Sequence, residues 1–273
     1  MNHSSGQEAK AFEKRTAFGG KLATGKGSCS LWLFYSRGMP LGNLVFPDIS
    51  IVYGRFAALT DVSADLGGWL LLYARLDGDG VAVAMASNVA GAASLGIEPD
   101  AERAKAALRA GVCDFVVNDL GEALRILKNE IRQRRAVSVV LTDGVDSAVA
   151  EIVARGVQPE VLAFAEPVLE ARGARVLALE GGGDRIPVVW SVDREPMRWL
   201  PVLDGLAVGV LEKKDARVRW VEASPRYLGR MFAGQRFLRM SEGESNTFVA
   251  AVRGAIPIGV SISRGGEVVL IDP

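Results

Sequence analysis

From Gly67 onward, short apolar runs alternate with amphipathic segments that are long enough to be helices. The first run, Trp69 to Ala74, is continuously apolar, which is typical of a strand buried on both faces of a sheet. Regular alternation of this kind indicates βα repetition and therefore a parallel sheet. Because right-handed crossovers bring the loops after the strands to one edge, a ligand of such a sheet is expected at the carboxyl ends of its strands.

The pattern predicts an α/β fold with a doubly wound parallel sheet in residues 56–192. Residues 1–55 lack clear periodicity and are predicted to form an irregular arm or cap. Residues 193–273 are predicted to be a small α+β extension with helices at 197–211 and 225–237 and a hairpin of strands 256–263 and 267–271. Within the core, the predicted strands are 69–74, 93–97, 114–117, 136–141, 159–164, 175–179 and 187–191, and the helices are 81–91, 100–111, 119–131 and 145–155.

Charge balance argues for a small-molecule partner. Hydrophobic residues make up 49% and charged residues 23% of the chain, which excludes a disordered protein. Lys and Arg number 32, as do Asp and Glu, so no net charge draws the chain to nucleic acid or to an anionic membrane. A polar start without an apolar leader, together with only two cysteines, predicts a cytoplasmic protein.

The residue inventory also limits the chemistry. The chain has one histidine, His3, which excludes nucleophiles activated by histidine and zinc sites built on paired histidines. No metal site is predicted, and the sequence leaves any catalytic residue unknown.

The turn after the first strand is the strongest local signal for a ligand. Gly78 and Gly80 follow that strand, and Glu98 ends the next one, twenty positions beyond Gly78. Glycines at such a turn let a pyrophosphate approach the backbone at a helix N-terminus, and the carboxylate can bind a ribose diol. The dinucleotide fingerprint has a third glycine at the position that Val83 occupies in this chain. The carboxylates of Asp77 and Asp79 would repel a diphosphate unless they turn outward or a cation intervenes.

Residues 56–161 extend this signal and resemble the NAD-binding core of urocanase (urocanate hydratase). Segments 119–127 (DLGEALRIL) and 150–161 (AEIVARGVQPEV) are similar to two further segments of that family. Urocanases have a Gly-rich turn of the type A-G-L-G-G-M-G-G-A-Q, whose register is matched here by Ala74, Leu76, Gly78, Gly80 and Ala82.

The resemblance implies a Rossmann-like core, bound NAD and a homodimer. It implies that four residues contact the NAD, namely Gly78, Gly80, Glu98 and Arg103. Asp79, between the two glycines, is counted with them. Gly144 is counted as well, because it stands where the family has a cofactor-binding Asn. In urocanases NAD acts as an electrophile that adds to the imidazole ring of the substrate.

Departures from the family pattern argue against hydratase activity. The polar loop that follows the last shared strand in urocanases is replaced here by the sequence AFAEPVL, residues 163–169. Neither Cys29 nor Cys113 matches the family's essential cysteine. The sequence therefore predicts a urocanase-like protein that binds NAD or a related dinucleotide, and any enzymatic activity would be that of a hydro-lyase. The alternative is a non-catalytic binding or interaction module on the same fold.

A second nucleotide motif is nearly present in the arm. Residues 20–27 (GKLATGKG) approach the phosphate-binding P-loop pattern, but the required hydroxyl is displaced to Ser28. Since no clear strand precedes this segment and no convincing helix follows it, a basic loop is the preferred interpretation.

Overall fold

The computed structural model describes residues 40–41, 44–178, 184–229, 231–232 and 234–271. The predicted arm up to residue 39, with His3, Cys29 and the P-loop-like segment, lies outside them. The described chain begins with a two-stranded antiparallel pair, β1 (Pro40–Leu41) and β2 (Leu44–Val45).

The core is a six-stranded sheet in the order β5-β6-β4-β3-β7-β8, in which all neighbouring strands are parallel. The predicted parallel sheet is therefore confirmed. Its strands are β3 (Leu70–Ala74), β4 (Ala93–Ile97), β5 (Phe115–Val117), β6 (Val137–Leu141), β7 (Val161–Leu162) and β8 (Arg175–Val176).

Helices cover both faces of this sheet. The side chains of α4, α5 and α6 form one hydrophobic cluster with one face of the strands, and those of α1, α2 and α3 belong to the cluster on the other face. This arrangement confirms the doubly wound architecture. The helices are α1 (Ile49–Val62), α2 (Gly78–Ala90), α3 (Ala101–Ala110), α4 (Leu120–Arg132), α5 (Val145–Ala154) and α6 (Pro167–Ala171).

Local signals explain why several predicted boundaries are close to those observed. Asp100 accepts hydrogen bonds from the amides of Glu102 and Arg103 and so begins α3. Gly111 ends the same helix with φ 76°, a left-handed conformation that favours glycine. β4 occupies the predicted residues 93–97.

The start of the core differs from the sequence-based boundary. Helix α1 begins at Ile49, where Asp48 caps it by accepting a hydrogen bond from the Ser50 amide at 2.7 Å. The sequence-based boundary places residues 49–55 in the arm, yet Val52 and Tyr53 are buried in the core. The core therefore includes residues before 56.

The C-terminal part is built on a four-stranded antiparallel sheet in the order β10-β9-β11-β12. Since β9 precedes residue 193, the second sheet begins before the predicted boundary. Its strands are β9 (Ile186–Val192), β10 (Gln235–Met240), β11 (Val260–Arg264) and β12 (Glu267–Ile271), and its helices are α7 (Pro196–Gly209), α8 (Ala216–Leu228) and α9 (Glu242–Ala255).

Here the sequence-based helix at 225–237 is wrong. Pro225 is typical of a first helical turn, but it lies inside α8, and the stretch after that helix contains β10. Strand β10 and helix α9 were not predicted. Helix α9 begins with a capping box between Ser241 and Glu244, a signal that the sequence does contain.

Both parts share one hydrophobic core. Tyr53 and Phe56 of α1 contact Trp220 of α8, with ring centroids 5.1 and 5.2 Å apart, and Tyr53 also contacts Phe237 of β10 at 5.3 Å. Helix α2 is buried from Gly80 to Ala90 because the sheet covers one side and α1 and α8 cover the others. None of the helices in the described residues is long and apolar enough to cross a bilayer.

Candidate functional site

The strand order places a topological switch point between β3 and β7. The chain leaves β3 into α2 on one face of the sheet and leaves the neighbouring β7 toward α6 on the other face. Connections that diverge in this way open a crevice beyond the carboxyl ends of the two strands, which is where open α/β sheets bind ligands. The predicted turn at 77–80 lies at this position.

Asp77 closes the N-terminus of α2. Its carboxylate oxygen Oδ1 accepts hydrogen bonds from the amides of Asp79 at 3.1 Å and Gly80 at 2.9 Å. If a dinucleotide bound at this turn, the same two amides would be expected to donate to its diphosphate. An aspartate that precedes the first helical turn is a strong N-cap. The sequence contains this capping signal, and it accounts for Asp77 without a ligand.

The two glycines have different structural roles. A Cβ atom on Gly80 would stand 1.9 Å from the Arg75 carbonyl oxygen, so glycine is needed there for α2 to pack against the end of β3. A Cβ on Gly78 would lie 4.0 Å from a methyl carbon of Val45 in β2, an ordinary van der Waals distance. Strand β2 therefore lies beside the turn, and Gly80 is explained by packing within the protein.

Asp79 has a partner inside the protein. Its Oδ1 accepts a hydrogen bond from Nε of Arg55 at 2.7 Å, and a second guanidinium nitrogen of Arg55 lies 2.5 Å from the same oxygen. Arg55 is a site residue that sequence reasoning missed, because it belongs to α1 and α1 begins inside the segment assigned to the arm.

Glu98 is also engaged within the protein. Its side chain is 1% exposed, Oε2 accepts from the Leu76 amide at 2.6 Å, and Oε1 accepts from the Asp100 amide at 2.8 Å. A guanidinium nitrogen of Arg103 lies 3.4 Å from both oxygens. Glu98 and Arg103 thus lie side by side, and the Glu98 carboxylate connects the turn after β3 to the start of α3.

Gly144 lies at the end of a different strand. It is the N-cap of α5 after β6, and β4 separates β6 from β3 in the sheet. Its amide donates to Oδ1 of Asp143 at 2.7 Å, and that oxygen also accepts from the Ser147 hydroxyl at 2.7 Å. Gly144 has no side chain to cap α5, so this helix start differs from that of α2.

Cys113 has the properties of a core residue. It is 3% exposed, and burial, reinforced by the neighbouring Asp114, raises the pKa of its thiol to about 12. A thiol of this kind is not a nucleophile at neutral pH. Within the described ranges, His, Cys, Asp and Glu form no group of three or more placed to hold a metal ion.

In this arrangement the corner does not fit a diphosphate and a ribose in the predicted manner. The amides at the start of α2 are bonded to Asp77, and the carboxylate of Glu98 is buried among its own partners. Gly78, Asp79, Gly80, Glu98 and Arg103 come together at the ends of β3 and β4. Their role in binding a cofactor stays a prediction.

The sheet order, the switch point and the covered faces define a Rossmann-like α/β protein, a fold of the dinucleotide-binding type. Residues 52–164 match the family model of the urocanase Rossmann-like domain, which covers less than half of the chain. The chain is therefore a relative of the urocanases that carries their Rossmann-like core. The resemblance expected over residues 56–161 is confirmed.

Proposed function

We propose that this protein is a non-catalytic binding module on a urocanase-like fold, in which the family's cofactor corner is closed by the protein's own carboxylates. The observation that carries this proposal is the double hydrogen bond from the α2 amides to Asp77. Glu98 supports it, because its buried carboxylate already accepts from two backbone amides.

Electrostatics favour the closed corner over a bound diphosphate. Two unit charges of the same sign about 4 Å apart repel by about 4 kcal/mol at an effective dielectric constant of about 20. The carboxylates of Asp77 and Asp79 flank the helix start, whereas the helix dipole offers an anion only about 0.3–1 kcal/mol. Arg55 offsets part of this repulsion, but its guanidinium is already bonded to Asp79.

Hydratase chemistry has little support from the side chains around the crevice. After β7 the chain runs through Ala163 and Phe164 to Glu166, which caps α6 by accepting from the Val168 amide. The buried Cys113 cannot supply a thiolate. Among residues 163–166 the ionisable side chain is that of Glu166, and its carboxylate already serves as the cap of α6.

Binding of NAD is the second candidate, and the switch-point topology together with the urocanase Rossmann-like domain favours it. If NAD binds, Asp77 must leave the α2 amides, and Glu98 must exchange a backbone partner for a ribose hydroxyl. NAD, ADP-ribose and ATP are therefore the probes to compare.

Calorimetric titration distinguishes the two candidates. The full-length protein should give no saturable heat with any of the three probes, and Asp77→Gly, which frees the amides and removes a charge, should gain weak NAD binding. Asp119→Gly is the matched control, since Asp119 caps α4 in the same manner, through the Glu122 amide, away from the switch point. Saturable binding to the wild-type protein that disappears in Glu98→Ala would favour the dinucleotide site.

A urocanate assay tests the catalytic part of the proposal separately. With NAD present, purified protein should consume urocanate no faster than the buffer does. Turnover above that background would overturn the non-catalytic assignment.

A further inference from the structure

A cavity of about 430 Å³ lies in the C-terminal part, away from the switch point. Helices α7 and α8 form its walls, and β10 contributes Arg236. The volume is within the range of pockets that bind small molecules, roughly 300–1,000 Å³.

One face of α7 is shaped to leave this cavity open. Pro201, Asp204, Gly205 and Val208 line it, and their spacing places them on a single helical stripe. A Cβ atom on Gly205 would meet no atom within 4 Å, so the space above this glycine is open. A glycine inside a helix costs about 0.5–1 kcal/mol relative to alanine. Gly205 therefore leaves space in the cavity and makes α7 less stable than alanine would.

The polar groups of the cavity centre on Asp204. Its Oδ2 accepts a hydrogen bond from Nε of Arg236 at 3.0 Å, and its Oδ1 accepts from the indole nitrogen of Trp190 at 3.2 Å. The side chains of Asp204 and Arg236 are each 13% exposed. Burial raises the pKa of the Asp204 carboxyl, and the charge and hydrogen bond of Arg236 and the hydrogen bond of Trp190 offset only part of that rise.

Apart from Asp204 and Arg236, the lining residues in the described part of the chain include one charged side chain, that of Glu222, and it is a carboxylate. Glu222 is exposed at the rim and adds a second carboxylate to the lining. Pro225 has no N–H to donate to the carbonyl of Val221, four residues earlier in α8. The charged groups that line the cavity in the described part of the chain are thus two carboxylates and one guanidinium, and the guanidinium is already bonded to Asp204.

We infer that this cavity binds a small organic cation, an ammonium ion carried on a compact apolar body. The ammonium group would meet the carboxylates of Asp204 and Glu222, and the apolar body would pack against Val208, Val221 and the proline rings. This site goes beyond the proposed function, because it uses no residue of the switch-point corner and stands whether or not NAD binds.

Titration with benzylammonium, monitored by calorimetry or by chemical-shift changes in NMR spectra, tests the inference on the full-length protein. Benzyl alcohol and benzoate have the same ring and serve as neutral and anionic comparators. Benzylammonium should bind at least about tenfold more tightly than either, which corresponds to one favourable charge pair in a partly buried site. Equal or tighter binding of benzoate would overturn the assignment of ligand charge.

Two glycines of the same helix provide a matched pair of variants. Gly205→Leu fills the cavity and should abolish binding, whereas Gly209→Leu should leave it unchanged, because Gly209 is also free of neighbours within 4 Å but does not line the cavity. Binding that survives Gly205→Leu would place the ligand elsewhere and overturn the site. Glu222→Gln alters only an exposed charge and should weaken benzylammonium about threefold, in keeping with an exposed ion pair. No change in that variant would exclude Glu222 as a ligand contact.

Discussion

Replacing Gly80 with alanine should destabilise the fold strongly, even without any ligand. The new Cβ would stand 1.9 Å from the Arg75 carbonyl oxygen and 3.0 Å from its carbon. Since carbon and carbonyl oxygen atoms in contact are about 3.3 Å apart, α2 and the end of β3 would have to separate by about 1.4 Å. Both partners are backbone, so no side chain can rotate away to relieve the overlap.

The cost follows from overpacking a buried junction. Forced insertion of this kind typically costs about 1–3 kcal/mol, and a clash between backbone segments belongs at the upper end, about 3 kcal/mol. For a folded unit of this size, that loss lowers the melting temperature by about 6–12 °C. Gly78→Ala is the control two residues away. Its new methyl group would lie 4.0 Å from a methyl carbon of Val45, so its stability should remain within about 0.5 kcal/mol of the wild type.

Urea unfolding followed by circular dichroism measures both variants. If Gly80→Ala were as stable as Gly78→Ala, the packing explanation for Gly80 would fail. The glycine would then have to be explained by the approach of a ligand to the turn, as the dinucleotide interpretation holds.

Two further predictions concern titratable groups. The side-chain hydrogen bonds from Arg217 outweigh the effect of partial burial and lower the pKa of Glu244 from 4.5 to about 2. The ionised Glu244 carboxylate therefore contributes its full stabilisation above about pH 4.5, and this stabilisation is lost as the pH falls through about 2. Glu244→Gln should flatten the fall in unfolding free energy between pH 5 and 2 by up to about 3 kcal/mol, and an unchanged pH profile would show that this pair does not control acid stability. In a Cys29→Ser background, the buried Cys113 should react with a thiol reagent only as fast as the protein unfolds, and rapid labelling in native buffer would contradict its burial.

The core of the fold could be predicted because its signals are local. The caps at Asp100 and Gly111 and the apolar run of β4 act within a few residues, and parallel strands buried on both faces are continuously apolar. The C-terminal part was harder to predict because Pro225 lies inside a helix, against its usual preference for the first turn. Tertiary packing of α8 against α1 and β10 overrides that local preference.

The candidate site was predictable in its location but not in its bonding. The glycines and Glu98 do lie at the corner of β3 and β4, because strand ends of a parallel sheet meet at one edge. Whether a carboxylate there faces a ligand or a backbone amide depends on rotamers and distances that no residue spacing encodes. Asp77 and Glu98 both bond to amides, and Arg55 reaches Asp79 from a helix that is 24 positions earlier in the sequence.

The aromatic contacts between α1, α8 and β10 have a consequence for how this protein can be divided. A fragment ending at residue 164 would keep Tyr53 and Phe56 but would lose Trp220 and Phe237, leaving a bare aromatic surface on α1 and an uncovered side of α2. Such an excised piece would precipitate or bind to itself, since large apolar patches in water drive association. Recombination that moved the urocanase-like segment alone into another gene would therefore require a host protein that covers these rings again.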